Sequence, residues 1–212
     1  WKKSAGEVLL SRGERMKVTV LREAGYEEAL RGMAYSYKDR ALDPDQWWQG
    51  QYTKATRRAP LLAPKGAGHN KFLRQIQLWL DIEAPRCWWS EFDTYKVGTV
   101  AQSESTMHTL AKRAPTFEDF EPETPYGTVL AFMGVWEEAK GDVTRLKLAL
   151  PEGFMQRRIV TMNYENVRGI VEQRTGHRLK FWKTFIEGLV AQLEHPEFIG
   201  ADRDSYRRDS NS

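Results

Sequence analysis

Strict alternation is clearest in "QIQLWLDI" (75–82). Ile76, Leu78, Leu80 and Ile82 fall on one side and Gln75, Gln77, Trp79 and Asp81 on the other. A period of two residues predicts a strand with one buried face. "KVTVL" (17–21) sets Val18 and Val20 on one face and predicts a shorter strand, and "MQRRIVTM" (155–162) a third. Helical spacing fills much of the rest. In "GYEEALRGMAYSYKDR" (25–40), Ala29, Met33 and Tyr37 recur every four residues. A second helix is expected from "DPDQWWQGQYTKATRR" (43–58), with Asp43 as N-cap and Pro44 in the first helical position.

"APLLAPKGAGHNK" (59–71) has two prolines, two glycines and no period, which predicts a loop. "TFEDFEPETP" (116–125), with four acids and two prolines, predicts an exposed loop or the start of a helix. "YGTVLAFMGVWEEAKGDVTRLKLALP" (126–151) predicts a buried helix, broken near Gly141 and Asp142 and ended by Pro151. "NYENVRGIVEQR" (163–174) and "RLKFWKTFIEGLVAQL" (178–193) are helical, the latter with Leu179, Trp182, Ile186, Leu189, Val190 and Leu193 at three- and four-residue steps. Long helices among few strands predict an α+β domain.

Composition narrows the picture. At 212 residues, with 41% apolar and 29% charged, the chain suits one globular domain without staples. We expect residues 1–15 to be a leader or appended segment with Met16 as the natural start, 16–200 a single domain, and 201–212 a disordered polar tail. A formal charge of +3 gives no case by itself for a nucleic-acid partner. Cys87 has no second cysteine to pair with, and no apolar run nears the roughly 18 to 20 residues of a membrane span. Both features fit a reducing cytoplasm.

The chemistry concentrates in three places. On the helix from residue 163, Asn163, Val167, Ile170, Val171 and Arg174 follow i, i+4, i+7, i+8 and i+11, so Arg174 lies on the apolar stripe. An arginine there needs an anionic partner, either a carboxylate of the chain or a ligand's phosphate. His69 follows "KGAG" in the expected loop, where a histidine is either solvated or ligand-facing. The segment 83–108, "EAPRCWWSEFDTYKVGTVAQSESTMH", gathers Glu91, Asp93, Tyr95, Lys96, Ser103, Glu104, Ser105, Thr106 and His108 beside Trp88 and Trp89. Such a cluster is either a solvated edge or a pocket wall whose polar groups want a ligand. Four histidines and one cysteine form no metal-binding spacing, and nucleophile-elbow, P-loop and dinucleotide fingerprints are absent.

Three segments, in order, resemble the flavin-dependent thymidylate synthases. "GHNKFLRQIQLWLDIEAP" is similar to that family's H-x-S-P-F-E-H and following strand, through His69, Phe72 and Pro85. From Pro85 onward R-Q-W-x-R-H-R falls on residues 90–96, and N-E-x-S-x-R on 103–108, keeping Glu104, a hydroxyl at Thr106 and a potential cation at His108. "LPEGFMQRRIVTMNYENVRGIVEQR" matches L-P-x(9)-W-T-x-N-x-R-S-L-x-x-F-L-x-L-R at Leu150, Pro151, Thr161, Asn163 and Arg174. The R-H-R triplet is here Thr94, Tyr95 and Lys96, and the arginine after the asparagine is Glu165, a charge reversal near the implied cofactor.

The resemblance implies a mixed or antiparallel sheet packed with long helices and a homotetramer with shared sites. It also implies FAD, methylenetetrahydrofolate as carbon donor, NADPH as reductant and a dUMP-like substrate. Arg174 is the implied catalytic and substrate-binding residue, with Glu91, Glu104, Ser105, Thr106 and His108 on the substrate, and His69, Tyr95, Lys96 and Asn163 on the cofactor. The departures suggest a divergent, phage-like relative whose product is methylated or hydroxymethylated at C5. Two other readings compete. One is a non-catalytic nucleotide-binding homologue without flavin. The other is a nucleic-acid-binding protein that stacks bases on Trp47, Trp48, Trp88 and Trp89, with "TRRAP" and "QRR" as phosphate contacts.

Overall fold

The alternating segments pair into one antiparallel sheet of order β1–β2–β4–β3. Its strands are β1 (Lys17–Ala24), β2 (Gln77–Pro85), β3 (Val100–Ser103) and β4 (Met155–Asn163). The computed structural model describes residues 15–36, 47–66 and 68–201, with Trp48 by its backbone alone. Leu78, Leu80 and Ile82 are fully buried on one face, where Leu80 lies opposite Val160 and Leu78 opposite Met162. The other face mixes polar and apolar groups, and Asp81 there pairs with Arg157 at 2.7 Å. Period-two patterning thus fixes which face carries the core.

β1 is an edge strand, bulged between Val20 and Arg22. The Gln192 amide lies along it, accepting from the Val20 N–H (3.0 Å) and donating to the Val18 carbonyl (2.8 Å). Glu23 ties the end of the strand to three other elements. Its carboxylate accepts from Tyr26, from Tyr164 and, at 2.9 Å, from the Glu194 N–H. Burial raises the Glu23 carboxyl above its ordinary range despite these donors, and burial with the neighbouring carboxylate raises the Tyr164 phenol.

The helices are α1 (Tyr26–Tyr35), α2 (Tyr52–Leu62), α3 (Arg86–Phe92), the single turn α4 (Thr106–Thr109), α5 (Tyr126–Ala139), α6 (Val143–Ala149), α7 (Tyr164–Arg174) and α8 (Phe181–Val190). Buried residues of α1, α2, α3, α7 and α8 join the apolar sheet face in one core. A smaller core gathers Leu110, Phe120, Val129, Phe132, Leu146 and Leu150 around α5 and α6.

Several sequence expectations need correction. The second helix runs to Leu62 through Pro60, past the expected loop start at 59, because buried Ala59 and Leu62 carry it beyond the proline. α3 occupies the start of the segment expected as a solvated edge or a pocket wall. Its Trp88, Trp89 and Phe92 are buried together, and Trp88 packs 5.1 Å from Trp182 and 5.2 Å from Phe185 between ring centres. Each buried indole withdraws roughly 150–250 Å² from water, at about 25 cal/mol per Å² an upper bound of ~4–6 kcal/mol. In 116–125, Phe120 and Glu121 are buried rather than exposed. α5 is only half covered, leaving Tyr126 and Leu130 exposed, while the break at Gly141 and Asp142 is present and Asp142 caps α6 through the N–H groups of Thr144 and Arg145. The expectations at Tyr37, Asp43, Pro44 and in the segments 1–14 and 202–212 lie outside the described residues.

Candidate functional site

Arg174 ends α7 on the stripe laid down by Val167, Ile170 and Val171, all buried. The helix stops because Thr175 turns to extended backbone and Gly176 takes φ +74°, a conformation that favours glycine. That turn folds His177 back over the guanidinium. Arg174 is held on several sides. Nε donates to the Tyr95 hydroxyl at 2.8 Å, Nη1 donates to Glu91 Oε2 at 3.3 Å, and Nη1 also lies 2.9 Å from His177 Nε2. Its Cζ lies 4.7 Å from the centre of the Trp182 ring and 5.5 Å from that of Tyr95. Arginine over aromatic faces contributes about 0.5–2 kcal/mol according to desolvation.

The supporting groups are themselves fixed. The Trp182 indole N–H donates to the same Glu91 oxygen at 2.8 Å, and the Tyr95 hydroxyl donates to Gln173 Oε1 at 3.0 Å. The Leu179 N–H donates to His177 Nδ1 at 3.1 Å. The Arg174 side chain is 19% exposed, and among the described residues no acceptor meets its Nη2. What remains is a rigid, partly open cation with one nitrogen to offer.

At the opposite end of α7, Asn163 caps the helix by accepting from the Asn166 N–H at 3.0 Å. Gly98 (φ +72°) passes so close that a Cβ there would lie 2.7 Å from Asn166 Oδ1 and 3.1 Å from Asn163 Nδ2. Asn166 Oδ1 and Thr99 Oγ1 are buried without hydrogen-bond partners among the described residues. His69 is exposed on the loop that packs against this end, and Lys96 is exposed on the turn after α3. Glu165 does not present a free negative charge here. Arg74 binds it with Nε and, at 3.1 Å, with Nη2, and the Asn70 amide donates at 3.3 Å.

A third group lies after β3. The Glu104 N–H donates to the Arg157 carbonyl at 2.9 Å, and Glu104 lines a cavity of about 430 Å³ with Lys112, Arg113, Trp136, Phe154 and Arg157. Ser105 precedes α4, Thr106 is buried, and His108 is exposed. Asp119, on the cavity rim, is opposed by burial yet held below the usual carboxylate range by Arg113 and the Thr116 N–H.

Of the residues expected from sequence, the structure brings Glu91, Tyr95 and Arg174 together. It keeps His69 and Asn163 near the other end of α7, while no hydrogen bond or ion pair among the described residues joins Glu104, Ser105, Thr106 or His108 to Arg174. Gln173, His177 and Trp182 join the site from outside the residues expected by sequence. A glycine two places beyond Arg174 was the available signal for a return of the chain. Trp47, Trp88 and Trp89 are buried and offer no stacking face to bases. Among the described residues no cluster of histidine, cysteine and acids could hold a metal ion, and no helix is long and apolar enough to cross a membrane.

No protein-family model matches the chain, and no curated protein matches it in sequence. Solved structures do. Thymidylate synthase X (ThyX) from Helicobacter pylori with FAD and dUMP superposes with a TM-score of 0.71 at 15% identity, over 87% of this chain and 97% of that one. A second structure, flavin-dependent thymidylate synthase ThyX from the same organism complexed with FAD and dUMP, gives 0.68 at 15% identity, over 86% and 97%. The chain therefore has the ThyX fold.

Proposed function

We propose that the chain transfers a one-carbon unit to C5 of a pyrimidine deoxynucleoside monophosphate, with dUMP or a close analogue as substrate, using FAD and methylenetetrahydrofolate. The observation that carries this reading is Arg174, a guanidinium braced by Glu91, Tyr95 and Trp182 with Nη2 uncommitted. A donor fixed in this way orients a pyrimidine and polarises a ring carbonyl without reorganising as charge develops. The shared fold with a ThyX that holds FAD and dUMP supports the ligand class.

The residues present fit a flavin. Asn163 and, unpartnered among the described residues, Thr99 Oγ1 and Asn166 Oδ1 supply polar groups at the N-terminal end of α7, and His69 and Lys96 stand exposed nearby in the fold. When bound, FAD would supply redox chemistry for reducing the transferred carbon, with NADPH as the source of reducing equivalents. In this reading the chain works as a homotetramer in which Glu104, Ser105, Thr106 and His108 of one copy complete the site around Arg174 of another. The product is methylated or hydroxymethylated at C5.

A nucleotide-binding homologue without flavin is the second reading. It is favoured by the Arg74–Glu165 pair, which occupies a cation that a cofactor phosphate would otherwise use. Purified protein separates the two. Flavin absorbance at about 450 nm, together with dUMP binding that Arg174→Ala abolishes while the circular dichroism is unchanged, is expected. A colourless protein that FAD fails to reconstitute removes the enzyme reading, and unchanged dUMP affinity in Arg174→Ala removes the site.

A further inference from the structure

Charge is spread unevenly along this chain. Residues 46–80 contain no aspartate or glutamate and six lysines and arginines, so the formal charge of +3 on the whole leaves −3 on the remainder. The fold gathers four of these cations on α2 and just past it. Lys54, Arg57, Arg58 and Leu61 follow i, i+3, i+4 and i+7 along one exposed face, and Lys65, also exposed, extends it beyond the helix end. The apolar face of α2 is a different one, where Ala55, Ala59 and Leu62 are buried in the core. No ion pair among the described residues neutralises Lys54, Arg57 or Lys65. The other adjacent arginines of the sheet, Arg157 and Arg158, are taken by Asp81 and Asp93, each at 2.7 Å, and Arg74 is held by Glu165.

We infer that this face of α2 is a docking surface for the sugar–phosphate backbone of a nucleic-acid duplex, bound without regard to base sequence. Like charges three and four residues apart on a helix repel one another, and a polyanion turns that repulsion into attraction. From Lys54 to Leu61 the face runs about 10 Å along the helix axis. A duplex carries one charge per about 1.7 Å, so the row meets several phosphates at once. Among the described residues the face exposes no aromatic ring, and Trp47 before the helix is buried. That favours a duplex, whose phosphates lie outside and whose bases are shielded, over a single strand held by stacking. An anionic membrane surface fits less well. An interfacial helix sinks an apolar face into the bilayer, and on α2 the core already uses that face, with Leu61 the large apolar side chain left outside. None of these cations belongs to the site around α7, and duplex binding does not depend on it.

Fluorescence anisotropy of two labelled DNA duplexes of unrelated sequence, titrated with the full chain at several salt concentrations, tests this. Both duplexes should bind within threefold of each other, and log affinity should fall against log salt with a slope of about −3 or steeper. Lys54→Gln, Arg57→Gln and Lys65→Gln combined should weaken binding at least tenfold at low salt and reduce the slope by about 1 per cation removed. Circular dichroism of this variant should stay native, since all three side chains are exposed. Lys17→Gln with Lys140→Gln, which removes exposed charge away from α2, should leave the slope as in wild type. Equal weakening by both sets of substitutions, or a triple variant that binds as wild type does, overturns the assignment. So does a wild-type chain that leaves both duplexes unbound at low salt, or one that prefers phosphatidylserine vesicles in co-sedimentation.

Discussion

Arg74 grips Glu165 through two guanidinium nitrogens across 91 residues of sequence, joining the loop of His69 to the first turn of α7. The charge reversal expected from sequence at Glu165 is therefore cancelled locally. Replacing Glu165 by arginine would restore the residue of the resembling motif yet set two guanidiniums side by side. Like charges in contact repel, so Glu165→Arg should lower the melting temperature and fail to raise flavin affinity. The exchanged pair Arg74→Glu with Glu165→Arg should recover the melting temperature. Thermal melts and an FAD titration of the three proteins check this, and a single variant as stable as wild type would contradict it.

Glu23 makes stability depend on pH in a definite direction. Burial is the largest cause of its raised pKa, and the Tyr164 hydroxyl and Glu194 N–H only partly oppose it. A carboxyl raised in the folded state retains its proton where the unfolded chain has lost its own. Its contribution is then most favourable below the ordinary value of 4.5 and declines as pH rises through the folded value. Glu23→Gln has no such proton to lose. The urea midpoint of the variant relative to wild type should rise between about pH 4 and pH 7, and a flat or falling difference would refute the assignment.

Gly98 stands where no side chain fits. Its φ of +72° is costly for other residues, and an added Cβ would lie 2.7 Å from Asn166 Oδ1. Gly98→Ala should cost about 1–2 kcal/mol from the backbone alone. Displacing Asn166 should also release its 2.7 Å bond to the Val97 carbonyl and disturb the polar groups around Asn163. Urea unfolding of the variant, with FAD binding measured alongside, reports both effects.

What the sequence disclosed follows from how local each signal is. The faces of β2 and the stripe of α7 are written in periods of two and about 3.6 residues, so Leu78, Leu80, Val167 and Arg174 could be assigned from a short window. α3 escaped because its seven residues make only about two turns: Trp88, Trp89 and Phe92 are buried on one face and Ser90 is exposed on the other, too short a run to set a period. Proline did not end α2, since apolar burial on both sides of Pro60 outweighs one missing donor. The partners of the two central charges could not be read locally at all. Glu91 lies 83 residues from Arg174, and Arg74 lies 91 from Glu165. Such pairings are set by sheet order and helix packing, which bring α3 to the end of α7 and the His69 loop to its start.

The Gln192 side chain against β1 has a consequence for how copies of this chain meet one another. Its amide satisfies a donor at Val20 and an acceptor at Val18, as a neighbouring strand would. With the bulge beside it, this denies a foreign backbone part of the template that a bare sheet margin presents, and so protects the N-terminal strand from runaway fibrillar stacking.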